Sequence, residues 1–97
     1  MNIKCSKLAS GEEVIGKIDR EDDQSVTLKS VASIIIMPGQ VPGSYGLGLM
    51  PYLPYADAKD FTFSKRHVMV SFDPNTDMIN NYNAKFGSGL QLVKGSL

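Results

Sequence analysis

Cysteine and histidine each occur once, as Cys5 and His67. A disulfide within the chain is thereby excluded, and so is a Cys/His zinc site built by one subunit, which takes several such ligands. His67 is the only imidazole base, and nothing near it in sequence resembles an activated nucleophile, so an enzyme is not expected. Net charge is lacking too, because ten Lys plus Arg offset ten Asp plus Glu. No global basic field exists to capture nucleic acid or an anionic membrane, and any anion site has to be local. No charged segment followed by a long apolar run opens the chain. Together these absences point to a reducing cytoplasm, no membrane partner, no metal and no cofactor.

What is present suits a folded protein. Hydrophobic residues make up 42% of the 97 and charged residues 21%, a globular balance with room for one modest core and no second one. Residues 1–97 are therefore read as a single domain.

The first half alternates with period two between turn residues, which is the pattern of strands. Ile3 and Cys5 share one parity before Ser10-Gly11 interrupts. Val14, Gly16 and Ile18 then alternate with Ile15, Lys17 and Asp19. The polar stretch Asp19 to Gln24 predicts a second turn, and Val26 and Leu28 begin a third strand. From Val31 to Met37 both faces become apolar, as expected of a strand that bends into a place covered on both sides, with a subunit interface as one source of cover.

Pro38, Pro42, Pro51 and Pro54, with the glycines between them, make residues 38–60 a long excursion, read as a hairpin touching at Leu47, Leu49 and Tyr52 and not as a central strand. Phe61-Thr62-Phe63-Ser64 and Val68-Met69-Val70-Ser71-Phe72 resume strand patterning. Their apolar parity flips across Lys65-Arg66-His67, which predicts a sharp corner there. A helix over about 74–86 follows, with Asp73 as N-cap, Pro74 at the first position, Gly87 just past the end and an apolar stripe of Met78, Ile79, Tyr82 and Phe86. Gly87-Ser88-Gly89 reads as a flexible link, and Leu90, Leu92 and Val93 as a last short strand or a docked tail. The expected fold is mainly β: a small, strongly bent five-stranded barrel of SH3-like or OB-like type with a short C-terminal helix.

Leu8-Ala9-Ser10-Gly11, followed by Val14, Gly16, Ile18 and Asp23-Gln24-Ser25-Val26-Thr27-Leu28, resembles the first motif of the Sm-like family. The register needs about one extra residue before Asp23. Arg66-His67-Val68-Met69-Val70 resembles the second motif in its bacterial Hfq form. Phe61-Thr62-Phe63-Ser64, Asn81-Tyr82-Asn83 and Phe86-Gly87-Ser88-Gly89 are similar to Hfq-related proteins of cyanobacterial phages. Together the motifs cover about half the chain.

The resemblance implies an SH3-like Sm barrel and a homo-oligomeric ring of about five to seven subunits in the cytoplasm, that of a host if the origin is a phage. Rings of this family close by pairing the strands on either side of the corner, which nominates Phe61, Phe63, Val68, Met69 and Val70 as subunit interface. The family's pocket for single-stranded RNA lies at the acidic turn and the corner, which nominates Asp23, Thr27, Lys65, Arg66 and His67. Thr27 stands where the eukaryotic motif has a base-reading Asn, and Ser25 and Val26 supply no aromatic platform. A ring that serves only as a protein-interaction or assembly module, presenting Tyr45, Met50, Tyr52 and Tyr55, is the alternative.

The residues on their own admit plainer readings. Lys65-Arg66-His67 also fits a solvated corner, and Tyr82 and Phe86 fit core packing at helical spacing. Glu13, Asp19, Glu21, Asp22 and Asp23 lack the ligand order of a calcium loop. The glycines at 43–48 lack a phosphate loop's Gly-Lys-Ser/Thr.

Overall fold

A computed structural model describes residues 2–87. Its strands are β1 (Ile3–Leu8), β2 (Glu13–Glu21), β3 (Ser25–Pro38), β4 (Tyr45–Pro51), β5 (Phe61–Ser64) and β6 (Val68–Phe72), followed by the helix α1 (Thr76–Tyr82) and a π-helical turn, Asn83–Gly87. All pairings are antiparallel, in the order β4-β3-β2-β1-β6, with β5 also paired to β3. The fold is mainly β, but the described residues form six strands and not five, and among them the sheet is not closed into a barrel. The additional strand comes from the Pro/Gly-rich excursion. Tyr45–Pro51 pairs without a register shift along β3, from Ala32↔Pro51 to Pro38↔Tyr45. Pro38 and Pro51 sit at the strand ends, where a missing N–H costs little.

Closure fails because β3 divides its partners. Its start, Ser25 to Leu28, pairs with β5, its end pairs with β4, and among the described residues β6 pairs only with β1. The division falls at Ser30, whose φ of 50° turns the strand. The backbone there finds partners outside the β2–β3 ladder: Ser30 N–H donates to Asp60 Oδ1 at 3.1 Å, and Val31 N–H to the Lys59 carbonyl at 3.0 Å. Gly16 lies across from this kink. A Cβ at Gly16 would come within 3.0 Å of Leu28 Cβ and 3.1 Å of the Lys29 carbonyl oxygen, so only glycine lets β2 approach so closely.

Both faces of the sheet are covered at its centre. Cys5, Ile15, Ala32 and Leu49 pack under Met78 and Tyr82 of α1, while Leu8, Val14, Val26, Leu28 and Val31 fill the concave side with Tyr52, Phe61, Phe63 and Val68 against them. Val14 and Ile15, adjacent in sequence and opposite in parity, are both fully buried for this reason. Much of the second cover expected over β3 is thus the chain's own helix. The N-cap of α1 is Asn75, not Asp73: Asn75 Oδ1 accepts from Met78 N–H at 2.9 Å. Asp73 is drawn instead to Lys4 Nζ, at 2.8 Å. The readings for Leu90, Leu92 and Val93 lie outside the described residues.

Candidate functional site

The corner between β5 and β6 is a 3-10 turn, Lys65–His67, closed by Val68 N–H donating to the Lys65 carbonyl. Two strands carry it to the acidic turn. Ser64 pairs with Ser25 at the start of β3, and Lys65 N–H donates to the Gln24 carbonyl at 2.8 Å. The acidic turn is itself set by Asp22, whose Oδ1 accepts from the N–H groups of Gln24 and Ser25, each at 2.8 Å. Those two bonds, Gln24 first, hold the Asp22 carboxyl below its ordinary range. β2 runs on to Glu21, so the turn is shorter than Asp19 to Gln24. Asp19 lies in a bulge where Ile18↔Leu28 is followed by Arg20↔Thr27.

One cleft of about 460 Å³ results, lined by Asp23, Gln24, Ser64, Lys65 and Arg66. Of the residues nominated from the sequence, the fold brings together Asp23, Lys65 and Arg66. Thr27 is buried, with Oγ1 2.8 Å from Thr62 Oγ1 under β5, and His67 is exposed outside the cleft while its carbonyl accepts from Ala9 N–H at 2.7 Å. Gln24 and Ser64 were missed, although each adjoins a nominated residue. Glu21 was missed as a partner: its Oε2 lies 2.7 Å from Lys65 Nζ. Arg66 is exposed and makes no ion pair among the described residues. The arrangement therefore offers one uncompensated guanidinium, one ammonium shared with a carboxylate, and three neutral or acidic hydrogen-bonding groups.

Lys65 also faces a second cleft, of about 320 Å³, that includes Lys4, Glu21, Val26, Leu28 and Val68. Along the nominated interface, Phe61, Phe63 and Val68 are half-buried against the chain's own core, with Tyr52 edge-on to Phe61 at 5.2 Å. Met69 and Val70 stay exposed at 68% and 48%. The Cys5 thiol is pushed up to about 11, chiefly by burial and then by Glu13, and so is neutral and inert at neutral pH.

Among the described residues no three His, Cys, Asp or Glu side chains group around a possible metal position, and no helix is long and apolar enough to cross a membrane. No protein-family model matches the chain, and no curated protein matches it.

Proposed function

We propose that the chain is a Sm-like subunit that closes into a homo-oligomeric ring and binds single-stranded RNA at the corner. The observation that carries this reading is the shared cleft of Asp23, Gln24, Ser64, Lys65 and Arg66, to which the two sequence motifs that resemble the family contribute Asp23, Gln24 and Arg66. Arg66 and Lys65 meet phosphates, and Gln24, Ser64 and Asp23 present donors and acceptors to a base edge. Symmetry would repeat this modest cation pair around a ring, which raises the local field although the chain is neutral overall. The bulge at Asp19 supplies the extra residue the family register needs before Asp23. Among the described residues β5 and β6 each keep one unpaired edge, next to the exposed Met69 and Val70, where a neighbouring subunit would pair.

The test is fluorescence anisotropy of short U-rich, A-rich and scrambled RNA oligomers at low and near-physiological salt. Saturable, composition-dependent binding that survives the higher salt is expected; none, or binding that salt abolishes for every sequence alike, rejects the RNA reading.

A second reading is favoured by one specific contact. Glu21 already neutralises Lys65, and Asp23 adds negative charge to the cleft, which suits an assembly module that binds no RNA. Freshly purified protein with no excess ultraviolet absorbance from nucleic acid, recovered with other proteins, would be its signature.

A further inference from the structure

From Ser30 to Ala56 the chain has no Asp, Glu, Lys, Arg or His, in a protein that is 21% charged. This stretch is the bend and outer part of β3, the turn, and β4. α1 covers its base at Ile34 and Leu49, but farther out Ile36, Tyr45 and Leu47 remain exposed at 68%, 70% and 50%. Among the described residues β4 is also an edge, paired only to β3. From Tyr45 to Gly48 the usual protections of an edge strand are missing: this half bears no charge and no proline, its ladder has no bulge, and among the described residues no element pairs its far side.

The phase of the ladder identifies the open groups. Gly39 N–H donates to the Ser44 carbonyl and Tyr52 N–H to the Val31 carbonyl, so the even-numbered residues of β4 bond to β3 and the odd-numbered ones face outward. Of these, Pro51 has no N–H, and the Leu49 carbonyl accepts from Lys85 Nζ at 3.3 Å. Tyr45 and Leu47 are left with both backbone groups open among the described residues.

We propose that a second copy of this chain covers this edge, two β4 strands pairing antiparallel about a two-fold axis at Gly46. Tyr45 of each copy then lies opposite Leu47 of the other, and each pair exchanges its open N–H and C=O groups. Three observations select a second copy over an unrelated partner. The uncharged surface is self-complementary, with no like charges to meet across the axis. Pro51 and Lys85 close the inner end and restrict pairing to the outer half. Gly46, at the axis, has open space around a Cβ built on it, so nothing in the chain's own packing obstructs the approach of a second strand there. The contact uses neither β5 nor β6, and it stands whether or not the ring reading holds.

The test combines native mass spectrometry with amide hydrogen exchange on the full chain over a range of concentrations, for the wild type and for Leu47→Lys, which sets like charges near the axis on an exposed side chain. Should that variant misfold by circular dichroism, Tyr45→Lys replaces it. The wild-type mass is expected to double with concentration while the Tyr45 and Leu47 amides become protected, and the variant should lose both effects. A mass that never doubles overturns the proposal, as does doubling without protection at Tyr45 and Leu47 or doubling retained in the folded variant. Protection that persists on dilution also overturns it, and would mean that another part of the same chain, such as residues 88–97, covers the edge.

Discussion

The hydroxyl of Tyr82 donates to the Ser30 carbonyl oxygen at 2.7 Å, at the residue whose positive φ turns β3. The Lys29 carbonyl lies 3.2 Å from the same oxygen, so one proton is shared by two carbonyls at the kink. Tyr82 is fully buried in the cluster beneath α1. The helix therefore does more than cover the sheet: it satisfies the backbone where β3 leaves one partner strand for the other.

Tyr82→Phe keeps the ring and removes this bond. Stability should fall by about 1 kcal/mol, the net worth of one part-buried hydrogen bond, and Tyr82→Ala by about 3–5 kcal/mol through the added cavity. Urea unfolding of the three proteins measures both. An unchanged midpoint for Tyr82→Phe would mean that the hydroxyl has no part in holding the bend.

The same tyrosine predicts a loss of stability in alkali. Burial pushes its pKa up to about 12, against the pull of the Ser30 bond. The folded state holds the proton more tightly than the unfolded state, so the contribution is complete below the unfolded value of about 10 and declines as pH rises toward 12. Cys5, raised to about 11, acts in the same direction from about pH 9. Unfolding midpoints should fall across this window in the wild type and less steeply in Tyr82→Phe.

Gly16→Ala places a methyl group 3.0 Å from Leu28 Cβ and 3.1 Å from a fixed backbone oxygen. A destabilisation of about 1–3 kcal/mol is expected from overpacking. Gly46→Ala, with nothing nearby within the chain, is the control and should leave the stability of the single chain nearly unchanged.

Two candidates for the cap of α1, Asp73 and Asn75, separate by mutation. Asn75→Ala should cost about 1 kcal/mol through loss of the bond from Met78 N–H. Asp73→Ala, which breaks only an exposed ion pair with Lys4, should cost under about 1 kcal/mol. The reverse order in thermal unfolding would restore Asp73 as the cap.

For RNA binding, Arg66→Ala should weaken affinity and lower the salt dependence by about one phosphate contact. His67→Ala, outside the cleft, should change neither by much. Glu21→Gln should strengthen binding by releasing Lys65 from its ion pair. Anisotropy titrations at several salt concentrations measure all three, and equal affinities throughout would remove the corner as the site.

Local chemistry determined much of this protein directly from sequence. Period-two patterning marked the strands, Ser10-Gly11 a turn, Lys65 to His67 a corner, and Met78, Ile79, Tyr82 and Phe86 the helix stripe, because each depends on residues a few positions apart. Asp23, Lys65 and Arg66 were likewise legible as candidates, with the family resemblance as guide.

The tertiary structure decided what depends on distant partners. Tyr45–Pro51 is a strand because Ala32–Pro38 offers it a matching ladder, which its own prolines and glycines do not announce. Ile15 is core because α1, far along the chain, lies over it, and Asp73 gives up the helix cap while its carboxylate pairs with Lys4. The cleft exists because the Gln24 carbonyl meets Lys65 N–H, and Thr27 is outside it, its hydroxyl paired across the β3–β5 ladder with Thr62. In each case the deciding contact joins segments whose separation in sequence carries no local signal, so only the register and curvature of the folded sheet bring them together.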